Sequence, residues 1–229
     1  MRYSLQLTKE LKRNPYSGLY IAIEGIDGSG KSTQLEAVQT SLEKLGREVV
    51  TTSEPQATGA VQKLIRDALF SKVKIPSRGY QNLYSADRAI NHEEIIIPAL
   101  KSGKTVLSHR SLWSNEPYGI LDLGEEYNFT MTGPLLVSQG TISEYHQFMV
   151  PDLTFYLRIS AKNAAERLSA MSKTKDIYEK EEKLAKIVKG YDMLVDNFPE
   201  EIIVLNGEED ESAITQEILR KIQEYKKAA

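Results

Sequence analysis

A glycine-rich segment constrains the fold of this 229-residue chain more than any other feature. It reads Gly25-Ile26-Asp27-Gly28-Ser29-Gly30-Lys31-Ser32 and matches the pattern G-x-x-x-x-G-K-[ST]. The apolar run Leu19–Glu24 before it has the pattern of a buried strand, and residues 34–45 after it repeat apolar side chains at helical spacing. Strand, loop and helix in this order predict a phosphate-binding loop that holds a nucleotide.

The residue types of the loop each suit a polyphosphate. Glycines let the backbone curl so that its N–H groups face the phosphates. We expect Lys31 to reach the β- and γ-phosphates of ATP and Ser32 to hold Mg²⁺. The predicted ATP-binding residues of this region are Gly25, Ile26, Asp27, Gly28, Ser29, Gly30, Lys31, Ser32 and Thr33.

Further short apolar segments alternate with helix-like stretches along the rest of the chain. They lie at residues 48–52, 105–108, 153–159 and 202–206. Such alternation predicts a parallel sheet with right-handed crossovers and with ligands beyond the carboxyl ends of the strands. We therefore predict an α/β fold: a three-layer P-loop NTPase domain with a five-stranded parallel sheet and helices on both faces. The domain is predicted over residues 18–229, after an N-terminal arm at residues 1–17.

The composition of the chain limits what it can bind and which chemistry its side chains can perform. The formal charge is -3 with both signs interspersed, which gives no basic field for nucleic acid. No apolar run approaches the length that spans a membrane, and the first 17 residues lack the apolar core of a secretory signal. The absence of cysteine excludes disulfides, thiolate metal sites and a cysteine nucleophile. We therefore expect a cytoplasmic protein that binds neither nucleic acid nor a membrane.

Residues after the second and third predicted strands suggest a pocket for a phosphate acceptor. Glu54 and Pro55 place a carboxylate at a strand end, where it can order a hydroxyl, a water or a metal ion. Tyr84 precedes Arg88 by four residues, so a helix would put both on one face. A ring beside a planar cation suits a nucleobase, and Arg110 after the third strand suits a phosphate.

The order of these motifs resembles the thymidylate kinase family of nucleoside monophosphate kinases, from about Leu19 to the C-terminus. The matching segments are residues 23–34, Glu54-Pro55, Ala86-Asp87-Arg88, Ile97-Pro98-Ala99-Leu100, His109-Arg110-Ser111 with Ser114 and Tyr118, and Pro151-Asp152-Leu153-Thr154. The resemblance implies transfer of the γ-phosphoryl group of ATP to a deoxynucleoside monophosphate, foremost dTMP. It also implies Mg²⁺ as a cofactor and a homodimer.

The resemblance implies roles for residues of the acceptor site. Tyr84 would stack on the base, Arg88 would contact the base, and Asn115 would contact the base or the sugar. Tyr118 would lie against the deoxyribose, and Asp27 would approach the 3'-hydroxyl or an ion-bound water. The full implied set of substrate-binding residues is Asp27, Glu54, Pro55, Tyr84, Arg88, Arg110, Ser114, Asn115, Tyr118 and Tyr178.

Catalysis would then depend on the phosphate loop, on the phosphate-binding arginine and on a lid. The implied catalytic residues are Lys31, Arg110 and Asp27, with Arg110 holding the acceptor phosphate. The charged segment 172–183 is the candidate lid, and its other interpretation is a solvated helix end. Within it, the resemblance implies that Glu179 faces the substrate or joins Ser32 at the metal.

The chain also departs from the family pattern. His109 replaces an aspartate beside the metal and the transferring phosphate, and an imidazole cannot supply the same fixed negative charge. Ser53 replaces an arginine, Gln56-Ala57 replace glycines, and Arg158 replaces an aspartate. These changes predict altered activity and altered affinity for the substrate.

A further departure concerns the cation that stabilises the transferring phosphoryl group. Family members place an arginine in the phosphate loop or the lid, whereas here the loop offers Gly28 and the lid offers lysines, foremost Lys173 and Lys175. We therefore expect these two lysines to contact ATP. Because a lysine cannot form a bidentate fork, we predict slower transfer than with arginine.

Two other functions stay open at this point. Arg110-Ser111 resembles the E-R-S segment of deoxynucleoside kinases, in which Glu54 would be the base for a 5'-hydroxyl, although residues 84–88 argue against this class. The other is a nucleotide-binding protein of this fold with weak or no kinase activity, motivated by His109, Ser53 and the lysine-only lid. A switch GTPase is disfavoured because the sequence has no N-K-x-D segment.

Overall fold

The computed structural model describes residues 10–119, 146–171 and 180–225. Its five strands are β1 (Leu19–Glu24), β2 (Val49–Ser53), β3 (Thr105–His109), β4 (Leu153–Arg158) and β5 (Ile202–Asn206). They form one parallel sheet in the order β2-β3-β1-β4-β5. The predicted α/β fold with a five-stranded parallel sheet is confirmed. β2 lies one residue later than predicted, β3 is one residue longer and β4 ends one residue earlier.

Helices connect the strands. They are α1 (Lys31–Lys44), α2 (Ala60–Leu69), α3 (Ser77–Asn91), α4 (Ile97–Lys101), α5 (Ala161–Met171), α6 (Glu181–Asn197) and α7 (Glu211–Glu224). A π-helical turn at His92–Ile96 joins α3 to α4, and a short 3₁₀ turn at Leu112–Ser114 follows β3. None of the helices in the described ranges is long and apolar enough to cross a membrane.

The sheet is covered on both faces because successive residues of a strand point to opposite sides. Phe155 of β4 packs in a cluster with α1 and α7, which contribute Val38 and Ile218. Its neighbour Tyr156 packs in the other cluster, with α5 and α6, where Tyr191 lies. The three-layer arrangement of the prediction is therefore confirmed by the alternation of core residues along the strands.

The parallel register brings the functional segments to one edge of the sheet. β1 is central, with Ile23 opposite His109 of β3 and Glu24 opposite Tyr156 of β4. Since the carboxyl ends of parallel strands share an edge, the phosphate loop after Glu24 lies beside the end of β3.

The opposite edge of the sheet is crossed by the segment before β1. Lys12 forms a parallel bridge with Met149, and Arg13 forms two hydrogen bonds of 2.6 and 2.5 Å with Glu201. The Asn14 amide donates to Asp152 Oδ2 at 2.7 Å, and the same oxygen accepts from the backbone N–H at the start of β1 at 2.8 Å. Residues 12–14 are thus fixed to the domain body. The division into an arm at 1–17 and a domain at 18–229 stays a prediction.

Candidate active site

The phosphate loop requires glycine where its backbone turns. Gly25 has φ 145° and Gly28 has φ 81°, which are values that disfavour other residues. A Cβ at Gly25 would lie 2.9 Å from the carbonyl oxygen of Leu157, and one at Gly28 would lie 2.7 Å from that of Ala164. Helix α1 begins at Lys31, directly after these turns, so its free N–H groups point toward the loop.

Lys31 is held inside the loop. Its ammonium donates to the carbonyl oxygen of Ile26 at 2.8 Å and lies 3.7 Å from Oδ1 of Asp27. Burial, reinforced by the charge of Arg110, lowers the pKa of Lys31 to about 7. The pKa of Lys31 therefore lies near neutral pH, well below that of an exposed lysine.

Arg110 links the end of β3 to the phosphate loop. Its φ of 73° lies in the left-handed region, which is uncommon for a residue with a side chain. Nη2 donates to Asp27 Oδ1 at 2.6 Å and to the Tyr118 hydroxyl at 2.7 Å. Nη1 donates to the carbonyl oxygen of Gly25 at 2.8 Å and to the Tyr191 hydroxyl at 3.1 Å. These four hydrogen bonds fix the orientation of the guanidinium.

Asp27 is a carboxylate that stays ionised. Burial alone would raise its pKa, but the charges of Arg110 and Lys31 outweigh burial and lower the pKa to about 2. Its side chain is 29% exposed, so part of the carboxylate remains open to a ligand.

A cleft of about 780 Å³ opens beside the loop, at the carboxyl edge of the sheet. Its lining comes from the phosphate loop, the ends of β2 and β3, and helices α2 and α3. The predicted site residues that line it are Asp27, Ser32, Glu54, Pro55, Tyr84, Arg88, Arg110, Ser114, Asn115 and Tyr118. The structure therefore brings the acceptor-site residues of the sequence prediction into one cleft, next to the phosphate loop.

A buried ion pair forms one wall of this cleft. Nε of Arg88 lies 2.8 Å from Oε2 of Glu54, and the two side chains are 2% and 4% exposed. Arg88 also lies over the ring of Phe148, 5.7 Å from its centroid. Within the described residues, Oε1 of Glu54 has no hydrogen-bond partner. The geometry orients Arg88 firmly, as recognition of a planar base requires.

A family model described as thymidylate kinase matches residues 23–218 of this chain. The chain belongs to the thymidylate kinase family. It is 33% identical over 210 residues to a thymidylate kinase of Halothermothrix orenii, covering 90% of this chain and 96% of that protein. It is 32% identical over 219 residues to one of Mesoplasma florum, with 91% and 99% covered. A third, from Exiguobacterium sp., is 30% identical over 208 residues, with 89% and 93% covered. The predicted family, fold and nucleoside monophosphate kinase class are confirmed.

His109, where the thymidylate kinase pattern has an aspartate, lines the cleft at the end of β3. Burial, with the nearby charges of Lys31 and Arg110, lowers the pKa of its imidazole to about 3. The ring is therefore neutral in the physiological range. His109 therefore contributes no charge to the site, whereas an aspartate would contribute a negative one.

Some predicted residues lie outside the described part of the chain. They are Lys173, Lys175, Tyr178 and Glu179, from the candidate lid at 172–183. The last residues of that predicted lid, from Glu181 onward, form the first turn of α6.

Sequence reasoning missed a cation that contacts the phosphate loop from α5. Arg167 of α5 donates from Nη1 to the carbonyl oxygen of Gly28 at 3.4 Å and to that of Gly207 at 3.2 Å. Its helix packs against the loop through Ala164, which is three residues earlier and on the same helical face. The sequence shows Arg167 as an arginine in the helix that follows β4. It does not show which side of that helix faces the phosphate loop, so the contact could not be predicted.

Sequence reasoning also missed a buried carboxylate at the end of β1. Glu24 is 1% exposed and accepts hydrogen bonds from the side chains of Ser111, Ser114 and Tyr191. Burial raises the pKa of Glu24, against the opposing effect of Arg110 and of these donors. The sequence shows Glu24 only as the last residue of an apolar strand.

Proposed function

We propose that this chain transfers the γ-phosphoryl group of ATP to the 5'-phosphate of dTMP, producing dTDP and ADP. The position of Arg110 carries this proposal. Its guanidinium contacts the phosphate loop through Asp27 and Gly25, and it lines the cleft that would hold the acceptor. An arginine so placed would bring the acceptor phosphate next to the γ-phosphate of ATP, which is the main requirement for phosphoryl transfer.

In this reaction an oxygen of the dTMP phosphate attacks the γ-phosphorus, and the bond from that phosphorus to the β,γ-bridging oxygen breaks. Lys31 and the N–H groups of the loop would neutralise the β- and γ-phosphates. Arg110 would bind the acceptor phosphate through Nη2, the nitrogen that donates to Asp27 and to the Tyr118 hydroxyl. Asp27 would then be released toward the 3'-hydroxyl or toward an ion-bound water.

The donor set beside the loop fits Mg²⁺. Ser32 supplies a hydroxyl, a hard oxygen ligand of the kind that Mg²⁺ prefers. The partly exposed carboxylate of Asp27 lines the same cleft, where it can accept from an ion-bound water. The described residues contain no group of three acidic or histidine side chains that could hold a metal, so phosphate oxygens and water would complete the coordination. Glu179 is a further proposed ligand. Bound Mg²⁺ would neutralise charge on the β- and γ-phosphate oxygens.

The wall of the cleft made by α3 would bind the base. We assign Tyr84 to stacking, Arg88 to the polar edge of the base, and Asn115 to the base or sugar. Tyr118 would contact the deoxyribose. Tyr178, from the predicted lid, would also contact the bound substrate. Pro55 would contribute apolar surface beside Glu54.

On the donor side, we assign Arg167 to the ATP-binding surface together with the lid residues Lys173 and Lys175. Arg167 already contacts the phosphate loop at Gly28. Lysines in the lid would supply charge to the transferring group without a bidentate fork, and we expect slower turnover than in relatives with arginine there.

The arrangement of Glu54 favours a monophosphate kinase over a nucleoside kinase. A base for a 5'-hydroxyl needs a carboxylate that can reach its substrate. Glu54 is buried and paired with Arg88 at 2.8 Å, which disfavours this role. The cation at the acceptor site is Arg110, which suits a substrate that already carries a phosphate.

We also propose that the protein forms a homodimer. Helices α2 and α3 expose the apolar side chains of Leu64 and Ile90, which are both 38% exposed. A partner molecule would cover such surface. Sedimentation of the purified protein at a monomer mass would overturn this proposal. The cytoplasmic location stays a prediction.

The test of the activity is release of ADP from ATP and Mg²⁺ in the presence of dTMP, dUMP, other nucleoside monophosphates or thymidine. We expect turnover with dTMP, and loss of it in the Lys31→Ala variant. Turnover of thymidine alone would instead identify a nucleoside kinase. Binding of ATP without turnover of any acceptor would identify a nucleotide-binding protein of this fold.

A further inference from the structure

The buried carboxylate of Glu24 organises a group of side chains behind the acceptor-phosphate arginine. It accepts from the backbone N–H and the hydroxyl of Ser111, both at 2.8 Å, on Oε1. On Oε2 it accepts from the hydroxyls of Ser114 at 2.7 Å and Tyr191 at 2.8 Å. A carboxylate that is removed from water is tolerated only when its oxygens are satisfied in this way.

Tyr191 connects this carboxylate to the site. Its ring is completely buried in α6 and stacks on Tyr156, with the ring centroids 4.7 Å apart. Because its hydroxyl hydrogen points to Glu24, the hydroxyl oxygen is free to accept from Nη1 of Arg110 at 3.1 Å. The same hydroxyl therefore contacts the carboxylate and the guanidinium.

The two terminal nitrogens of Arg110 therefore have different hydrogen-bond partners. Nη1 donates to the carbonyl oxygen of Gly25 and to the buried Tyr191 hydroxyl and, at 3.4 Å, to Ser114, which also lines the cleft. Nη2 faces Asp27 and Tyr118, which line the cleft. The interior contacts fix the plane of the guanidinium, and with it the direction in which Nη2 donates.

We propose that Glu24 and Tyr191 are positioning residues that hold the guanidinium of Arg110 in the orientation that binds the acceptor phosphate. Neither residue is assigned a contact with substrate. This inference rests on the proposed function, since it assigns a role at the same site. It predicts that the Tyr191 hydroxyl matters for the acceptor nucleotide and not for ATP.

Tyr191→Phe tests the proposal, because phenylalanine keeps the stacked ring and removes only the hydroxyl. We expect KM for dTMP to rise about tenfold while KM for ATP stays nearly unchanged. The melting temperature should fall by only a few degrees, because Ser111 and Ser114 still donate to Glu24. Tyr156→Phe is the matched control. Its hydroxyl is buried and has no partner among the described residues, and it belongs to the same stacked pair. Its kinetic constants should equal those of the wild type.

A double variant tests whether the Tyr191 hydroxyl affects binding of dTMP through Arg110 or through a general disturbance of the site. In an Arg110→Lys background, the single amine cannot keep the interior contacts of Nη1 and also donate to the phosphate. Tyr191→Phe should then raise KM for dTMP by less than about threefold. Equal constants for Tyr191→Phe and wild type, or equal increases of both KM values, would overturn the proposal. Absence of dTMP turnover by the wild type would instead overturn the proposed function, so the two failures are distinguishable.

Discussion

Nη2 of Arg110 lies 2.6 Å from Oδ1 of Asp27, so an ion pair joins the residue after β3 to the phosphate loop. Arg110 keeps the Asp27 carboxylate ionised, and the contact fixes the positions of both side chains. In the proposed reaction, the acceptor phosphate would take the place of the Asp27 carboxylate, which now accepts from Nη2 of Arg110. The guanidinium is therefore oriented to donate to an anionic oxygen at this point.

Replacement of this arginine tests its role at the acceptor phosphate. Arg110→Lys keeps the charge but removes the planar fork, so we expect KM for dTMP to rise about 100-fold, equivalent to about 2.7 kcal/mol. KM for ATP should change much less. Steady-state kinetics with each substrate varied in turn measure both effects. A larger change for ATP than for dTMP would contradict the assignment.

The lowered pKa of Lys31 predicts that ATP binding is linked to protons. With a pKa of about 7, most Lys31 side chains in the free protein are neutral at pH 8. A bound triphosphate favours the charged form, so binding should take up about one proton at pH 8 and little at pH 6. Affinity for ATP should fall as the pH rises through 7.

Calorimetry in buffers of different ionisation enthalpy measures this uptake of protons. A non-hydrolysable ATP analogue keeps turnover out of the measurement. Lys31→Arg is the matched control, since arginine stays charged and should remove the uptake. Equal binding enthalpies in all buffers for the wild type would refute the prediction.

His109 gives a prediction about charge at the transferring phosphate. His109→Asp would place a carboxylate near Lys31 and Arg110, where the neutral ring now stands. We expect kcat for dTMP to rise about tenfold, equivalent to about 1.4 kcal/mol of activation free energy. His109→Asn has the size of aspartate without its charge, and should not show this gain. Equal kcat values for the two variants would show that the charge at this position is unimportant.

The Arg88–Glu54 pair predicts a stability effect that is separable from recognition of the base. Arg88→Met leaves Glu54 buried without its partner, which should lower the free energy of unfolding by about 3–5 kcal/mol. Adding Glu54→Gln to that variant should recover part of the stability, because the uncompensated charge is then gone. Urea unfolding followed by circular dichroism gives both values. If Arg88→Met alone is as stable as the wild type, Glu54 has found another partner.

The sheet and the phosphate loop could be predicted from sequence because their signals are local. Buried parallel strands read as short apolar runs, and the loop of residues 25–32 carries its glycines where the backbone needs them. The residues of the cleft could be named from the family resemblance. Their meeting in one place follows from the parallel register, which puts the ends of β2 and β3 beside the loop.

The contacts of Glu24 could not be predicted in this way. Its side-chain partners come from positions that are 87, 90 and 167 residues away along the chain. Their pairing depends on how the turn after β3 and helix α6 pack over the sheet, and no short pattern encodes that packing. The contact of Arg167 with the loop was missed for the same reason, since it lies 139 residues from Gly28.

The segment at residues 12–14 has a practical consequence for experiments on this protein. It is fastened across the amino ends of the strands through Met149, Asp152 and Glu201, whereas the cleft opens at their carboxyl ends. A fluorophore or a sensor surface coupled on this side would lie one strand length away from the cleft. Real-time binding measurements can therefore immobilise the molecule there with the cleft facing the solution.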